Sequence, residues 1–116
     1  WKGWTITMKS LKSILAPLKA ALLTVTDKVY HYEGLKDEDR YIVWAEDADN
    51  SVNGDNKIIG QAIQGTVDYF TSLEYDENID KIQNAMNDAG IAFYLSTQLY
   101  DDETKKMQYQ WVFEVT

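Results

Sequence analysis

Residues 57–71 read KIIGQAIQGTVDYFT, and their side chains change character at every second position. In an extended chain Ile59, Gln61, Ile63, Gly65, Val67, Tyr69 and Thr71 share one face, while Gly60, Ala62, Gln64, Thr66, Asp68 and Phe70 share the other. The first face is largely apolar and the second small and polar. The pattern predicts one long strand from Lys57 to Thr71 that packs its first face on helices and leaves its second half-solvated or against another subunit. Gly60 and Gly65 predict a bulge or a close approach of backbone.

The elements around this strand follow from similar patterns. Leu11, Ile14, Leu15, Leu18, Leu22 and Val25 recur at helical spacing, with Lys9, Lys12 and Lys19 between them. Pro17 interrupts that run, so the reading is a short irregular lead followed by a helix from Ala16 to Val25. The segments VYHYEG (29–34) and YIVWAE (41–46) read as strands, and DADNSVNGDN (47–56) reads as a polar loop. A second helix is expected over YDENIDKIQNAMNDAG (75–90), with Asp76 as N-cap, Glu77 and Asp80 beside the N-terminal dipole, and Gly90 at the C-terminal end. Its apolar stripe is Ile79, Ile82, Met86 and Ala89. IAFYLSTQLY and KMQYQWVFEVT read as a closing hairpin joined by DDETK, with Met107, Tyr109, Trp111, Phe113 and Val115 on one face. The expected fold is α+β: a two-layer sandwich in which an antiparallel sheet carries two helices on one face, in the order α-β-β-β-α-β-β.

A chain of 116 residues makes one domain, which buries roughly 65% of the surface exposed by its unfolded form. Residues 1–7 read as an extension ahead of Met8, and 8–116 as the domain. The 19 acids against 11 bases give a formal charge of −8, which argues against affinity obtained by neutralising phosphates. Without cysteine there is no disulfide and no thiolate nucleophile. The longest apolar run falls well short of the roughly 20 residues of a membrane span, so the chain reads as soluble, intracellular and without a membrane role.

Side chains suited to chemistry are sparse. His31 is the sole histidine, placed between Tyr30 and Tyr32, and reads as a structural or surface residue; a general base beside Glu33 or Asp27 has no supporting motif. The acidic pairs Asp37/Asp39, Asp47/Asp49 and Asp101/Asp102 are expected in turns, where carboxylates are solvated rather than held in contrasting environments. Asp49, Ser51, Asn53 and Gly54 can be laid over a calcium loop, but Gly60 stands where a bidentate Glu is needed. The aromatics Trp44, Tyr69, Trp111 and Phe113 lie in acidic surroundings at strand spacing, unlike a base-stacking platform, and read as core and subunit-contact residues. No catalytic, cofactor-binding or metal-binding set is expected.

The strings IQGTVDYFT, DENIDKIQNAMNDAGIAFYL and YQWVFEV, in this order of elements, resemble the small tail-terminator and head-to-tail joining proteins of tailed bacteriophages and prophages. The resemblance covers most of the chain from Met8 onward. It implies a virion protein without enzymatic activity or cofactor, built in the host bacterial cytoplasm. Such proteins form homo-oligomeric rings, commonly hexamers, that end the tail tube and join it to the head connector. Carried onto this sequence, the reaching loop is Asp47 to Asn56, with Asp47, Asp49, Asn50, Asn53 and Asp55 as contact residues. The long strand would meet a neighbour through Gln61 or Gln64 and Asp68, according to register. DNA would pass an acidic ring without specific binding, because like charges suppress adhesion.

Two other classes predict different behaviour. An acidic binding or inhibitor module of DNA-mimic type would be a monomer or dimer that captures a basic protein. An enzyme would need a pocket with perturbed titrating groups, for which the sequence offers no convergent set.

Overall fold

The alternation in 63–71 becomes β5 (Ile63–Thr71), the central strand of a five-stranded sheet in a computed structural model. The structure describes residues 9–34, 37–49, 51–54 and 57–116, with 52–54 and 57–59 described by backbone pairing alone. Along β5, Ile63, Gly65, Val67, Tyr69 and Thr71 are buried, and the residues between them are half-buried. The remaining elements are α1 (Leu11–Leu23), β1 (Val29–His31), β2 (Arg40–Asp49), β3 (Val52–Gly54), β4 (Lys57–Gly60), α2 (Glu77–Asp88), β6 (Ala92–Asp101) and β7 (Lys106–Val115). The sheet order is β1-β2-β5-β7-β6, and β3 and β4 pair separately as a two-stranded ribbon.

The molecule is the expected α+β sandwich, and within the main sheet the chain runs α-β-β-β-α-β-β. Every pairing in that sheet is antiparallel except β1 with β2. Parallel strands ordinarily require a long crossover. Here β1 has only three residues, roughly 10 Å of chain, so the connection 32–39 can return to the same end of the sheet.

Two sequence expectations are corrected. The expected strand from Lys57 to Thr71 is two strands, β4 and β5, separated at Gln61 and Ala62. The polar segment expected as a loop from Asp47 is largely ladder: β2 runs on to Asp49, and the ribbon takes up 52–54 and 57–60. Asp47 and Asp49 therefore lie in a strand, not a turn. Asp47 is the extra residue of a bulge, since Glu46 opposes Gly65 and Ala48 opposes Gln64. Asn50, Asp55 and Asn56 lie outside the described residues, as do Trp1 to Met8.

Helix α1 begins at Leu11, earlier than expected, and passes through Pro17. Ser10 caps its start, its side chain accepting from the Ser13 amide at 3.1 Å. Pro17 leaves the Ser13 carbonyl without its helical donor, but both residues lie on the exposed side, where water can serve that group. Ile14, Leu15, Leu18 and Leu22 face the sheet and are buried. Helix α2 starts at the Asp76 cap as expected, and the chain leaves it through Gly90 at φ +74°. Its buried residues are Asn78, Ile82 and Met86; Ala89, expected on the apolar stripe, is exposed.

Both helices pack on the face formed by Ile42, Trp44, Ile63, Val67, Tyr69, Trp111, Phe113 and Val115. Trp111 is fully buried at the centre, and its indole N–H donates to Gln83 of α2 at 3.1 Å. Gly65 is needed where the sheet is tightest: a Cβ there would stand 2.0 Å from the Ala45 carbonyl oxygen and 2.7 Å from the Phe113 ring.

Candidate functional site

Among the described residues, the second face of the sheet has no helix on it. Strand register assigns Tyr41 and Val43 of β2, Gln64, Thr66, Asp68 and Phe70 of β5, and Gln108, Gln110 and Val112 of β7 to this open face, since each alternates with a core residue. One half of the face is closed by aromatics. The Tyr41 and Phe70 rings stack at 4.8 Å, Tyr30 meets Tyr41 edge-on at 6.2 Å, and the Lys106 ammonium lies 5.5 Å above the Tyr41 ring. Lys106 also donates to the Glu38 backbone carbonyl. The Tyr30 hydroxyl donates to Glu38 Oε1 at 2.6 Å, and this bond to a carboxylate pushes the phenol up to about 12.

Beside these rings lies an open groove of about 1000 Å³. Tyr41, Phe70 and Leu99 contribute apolar walls, and five carboxylates line it, those of Glu33, Asp68, Asp101, Asp102 and Glu103. Lys106 is the only cation among the described lining residues. Burial pushes the Asp68 carboxyl upward, opposed by hydrogen bonds from Gln110 and Gln108. Asp101 is held low, chiefly by the Glu103 amide that donates to it at 2.9 Å across the β6–β7 turn. The groove is therefore an acidic, aromatic-walled surface open to solvent. Its carboxylates are spread along its walls, and among the described residues no group of three or more acidic or imidazole side chains could hold a metal ion.

The edge of the sheet beside this face is also uncovered. Strand β6 pairs with β7 on one side and has no partner on the other among the described residues. It exposes Tyr94, Leu95, Leu99 and Tyr100, at 61%, 39%, 56% and 56%. Register turns Tyr94 and Leu99 to the open face, and Leu95 and Tyr100 to the helix side. Ser96 is an extra residue between Leu95 and Thr97, and its hydroxyl donates to the Gln110 carbonyl at 3.2 Å. Such a bulge is one of the devices that limit indiscriminate pairing at an edge.

The residues singled out from sequence are dispersed. Gln64 and Asp68 lie on the open face, where both are half-buried. Gln61 is turned to its own helix layer: it donates to the Lys9 carbonyl at 2.9 Å and accepts from the Lys9 amide at 3.1 Å, tying the chain ahead of α1 to the end of the sheet. Asp47 and Asp49 are exposed at the far end of β2, where Asp49 accepts from the Ser51 amide at 2.9 Å. Asn53 is in β3 opposite Ile58, and Asn50 and Asp55 lie outside the described residues. With Asp49 at a strand end and 52–54 and 57–60 paired as a ribbon, the calcium-loop overlay has no counterpart in the described backbone.

His31 pairs with Glu46 at 3.1 Å rather than with Glu33 or Asp27, and its ring stacks on Trp44 at 4.0 Å. Tyr32 stacks on its other side and donates to the same Glu46 carboxylate. This set packs the sheet edge beside β1. The reading of the sequence missed two groups. One is the acidic groove, which forms only when the β6–β7 turn and residues 33–34 meet β5. The other is the polar network around Asp76, whose partner Arg40 lies 36 residues away. The excess of large apolar residues on both faces of IAFYLSTQLY was a legible sign of an uncovered strand.

A scan against protein-family models finds no match for this chain, and a search of curated proteins finds no significant similarity.

Proposed function

We propose that this protein is a structural component of a phage or prophage virion that assembles as a ring at the head-to-tail junction, ending the tail tube and joining it to the head connector. The observation that carries the reading is the uncovered sheet: among the described residues one face and the ten-residue β6 edge lack cover from the helices, and the β6 edge exposes Tyr94, Leu95, Leu99 and Tyr100. Contiguous exposure of this kind is a feature of surfaces that meet another protein. The order of elements and the strings IQGTVDYFT and YQWVFEV support the same class by resemblance. On this reading the β3–β4 ribbon, with Asp47 and Asp49 at its base, is the arm that reaches the tube or a neighbouring subunit. The net charge of −8 lets DNA pass the ring without adhesion, because like charges repel. The protein acts without cofactor or catalysis, in the host bacterial cytoplasm during assembly and then in the virion.

The acidic groove also favours a second reading, an acidic module that captures a basic protein. Negative-stain electron microscopy of the purified protein separates the two. The assembly reading predicts annular particles with a central hole, whereas a uniform field of small particles without a hole supports the capture module.

A further inference from the structure

Charge is segregated along this chain. All 19 acidic residues lie at or after Asp27, and the described residues before it carry Lys9, Lys12 and Lys19 with no acid. Those lysines sit on or just before α1, whose outer surface also exposes Leu23 at 46%, and Ala16, Pro17 and Ala20. A helix that shows apolar residues on its outer side as well as its core side is suited to being covered on both. The ion pairs of the described residues involve none of the three lysines.

The acidic groove lies on the opposite side of the sandwich, and its walls likewise combine carboxylates with exposed apolar surface at Leu99. Helix α1, 13 residues and about 20 Å long, is shorter than the roughly 33 Å spanned by a ten-residue strand, so its outer face can lie within the open sheet face. Because the two surfaces are on opposite sides of one copy, they can meet only between copies. Such a contact is heterologous: it uses each surface once per subunit and closes into a ring when its rotation permits. It also answers an electrostatic difficulty, since copies of charge −8 repel unless their positive surface meets their most negative one.

We propose that the outer face of α1 in one copy seats in the acidic groove on the open sheet face of the next. This rests on the assembly reading and adds to it the two surfaces that form the subunit contact. A second copy fits the groove through Lys12 and Lys19 over Asp68, Asp102 and Glu103, with Leu23 against the apolar walls.

Paired charge reversals in the full chain test it. Lys12→Glu/Lys19→Glu spoils the basic surface, and Asp102→Lys/Glu103→Lys spoils the acidic one; all four positions are exposed, and circular dichroism checks that each variant is folded. Light scattering after gel filtration is expected to give an assembled mass for the unmodified protein and the mass of a single chain for each variant alone. An equimolar mixture should recover assembly, because the two altered surfaces are complementary to each other, and its average charge is that of the unmodified protein. Variants that assemble as the unmodified protein does, or a mixture that stays monomeric, would overturn the α1-to-groove contact and leave the assembly reading standing. An unmodified protein that remains monomeric at every concentration would overturn both.

Discussion

The Asp76 carboxylate joins three elements through single atoms. Arg40 of β2 donates to its Oδ1 at 2.6 Å and its Oδ2 at 2.9 Å, Tyr69 and Thr71 of β5 each donate to Oδ2 at 2.6 Å, and the Asn78 amide of α2 donates to Oδ1 at 2.9 Å. Burial alone would push this carboxyl up, but the donors outweigh it and hold Asp76 well below the usual carboxylate range. A folded-state pKa below the unfolded one gives stability that is complete above about pH 4 and is lost as pH falls through the folded value. Asp76→Ala is therefore expected to cost about 3 kcal/mol at neutral pH, from a lost helix cap and an unpaired, partly exposed Arg40, with the deficit shrinking below about pH 3. Urea denaturation at both pH values measures this, and a deficit independent of pH would contradict the assigned role. Gly65 is a second point of high sensitivity. A Cβ at this position meets backbone of β2 and the ring of Phe113, so Gly65→Ala should destabilise by at least about 2 kcal/mol in the same assay. A neutral result would mean that the β2 bulge can shift to admit a methyl group.

At the scale of elements, α1 carries an avoidable cost. Pro17 removes one helical hydrogen bond, yet its exposed position means that no core contact depends on the ring. Pro17→Ala is expected to raise stability by about 1–3 kcal/mol, read as a higher urea midpoint with an unchanged slope. A loss of stability would show that the proline ring holds the helix in its packed orientation. This element also marks how far the fold was legible. The periodic apolar positions of α1, β5, α2 and β7 mark the core face, with Leu11 and Ala89 as exposed exceptions at helix ends, because burial of one face leaves a strong imprint on sequence. Helix α1 starts ahead of the sequence expectation because the Ser10 cap and the packing of Ile14 and Leu15 outweigh proline's intrinsic penalty. The β2 extension and the β3–β4 ribbon were read as loop because Asp, Asn, Ser and Gly have low strand propensity, whereas ladder pairing there is set by tertiary context. The parallel β1 and the groove were not legible at all, since both depend on where separate segments meet.

For the whole molecule, a two-layer sandwich with helices on one face presents a balance between stability and association. The core beneath α1 and α2 is continuous, and Trp111, Tyr69, Phe113, Leu18 and Leu22 are fully buried in it. The opposite face, half-buried and acidic, together with the β6 edge, is where further apolar surface remains to be covered. Of the candidate contact residues, Gln64 and Asp68 could be placed from the period of two once the inward face was known. The same period puts Gln61 on the inward face, and its side chain is turned to the helix layer, where it bonds Lys9. Whether these surfaces serve self-association into a closed ring is read from the absolute mass of the purified protein over a range of concentrations. The account predicts a discrete multiple of the chain mass, larger than a dimer, that stays constant once formed. A single-chain mass at every concentration, or a dimer that grows no further, would contradict it.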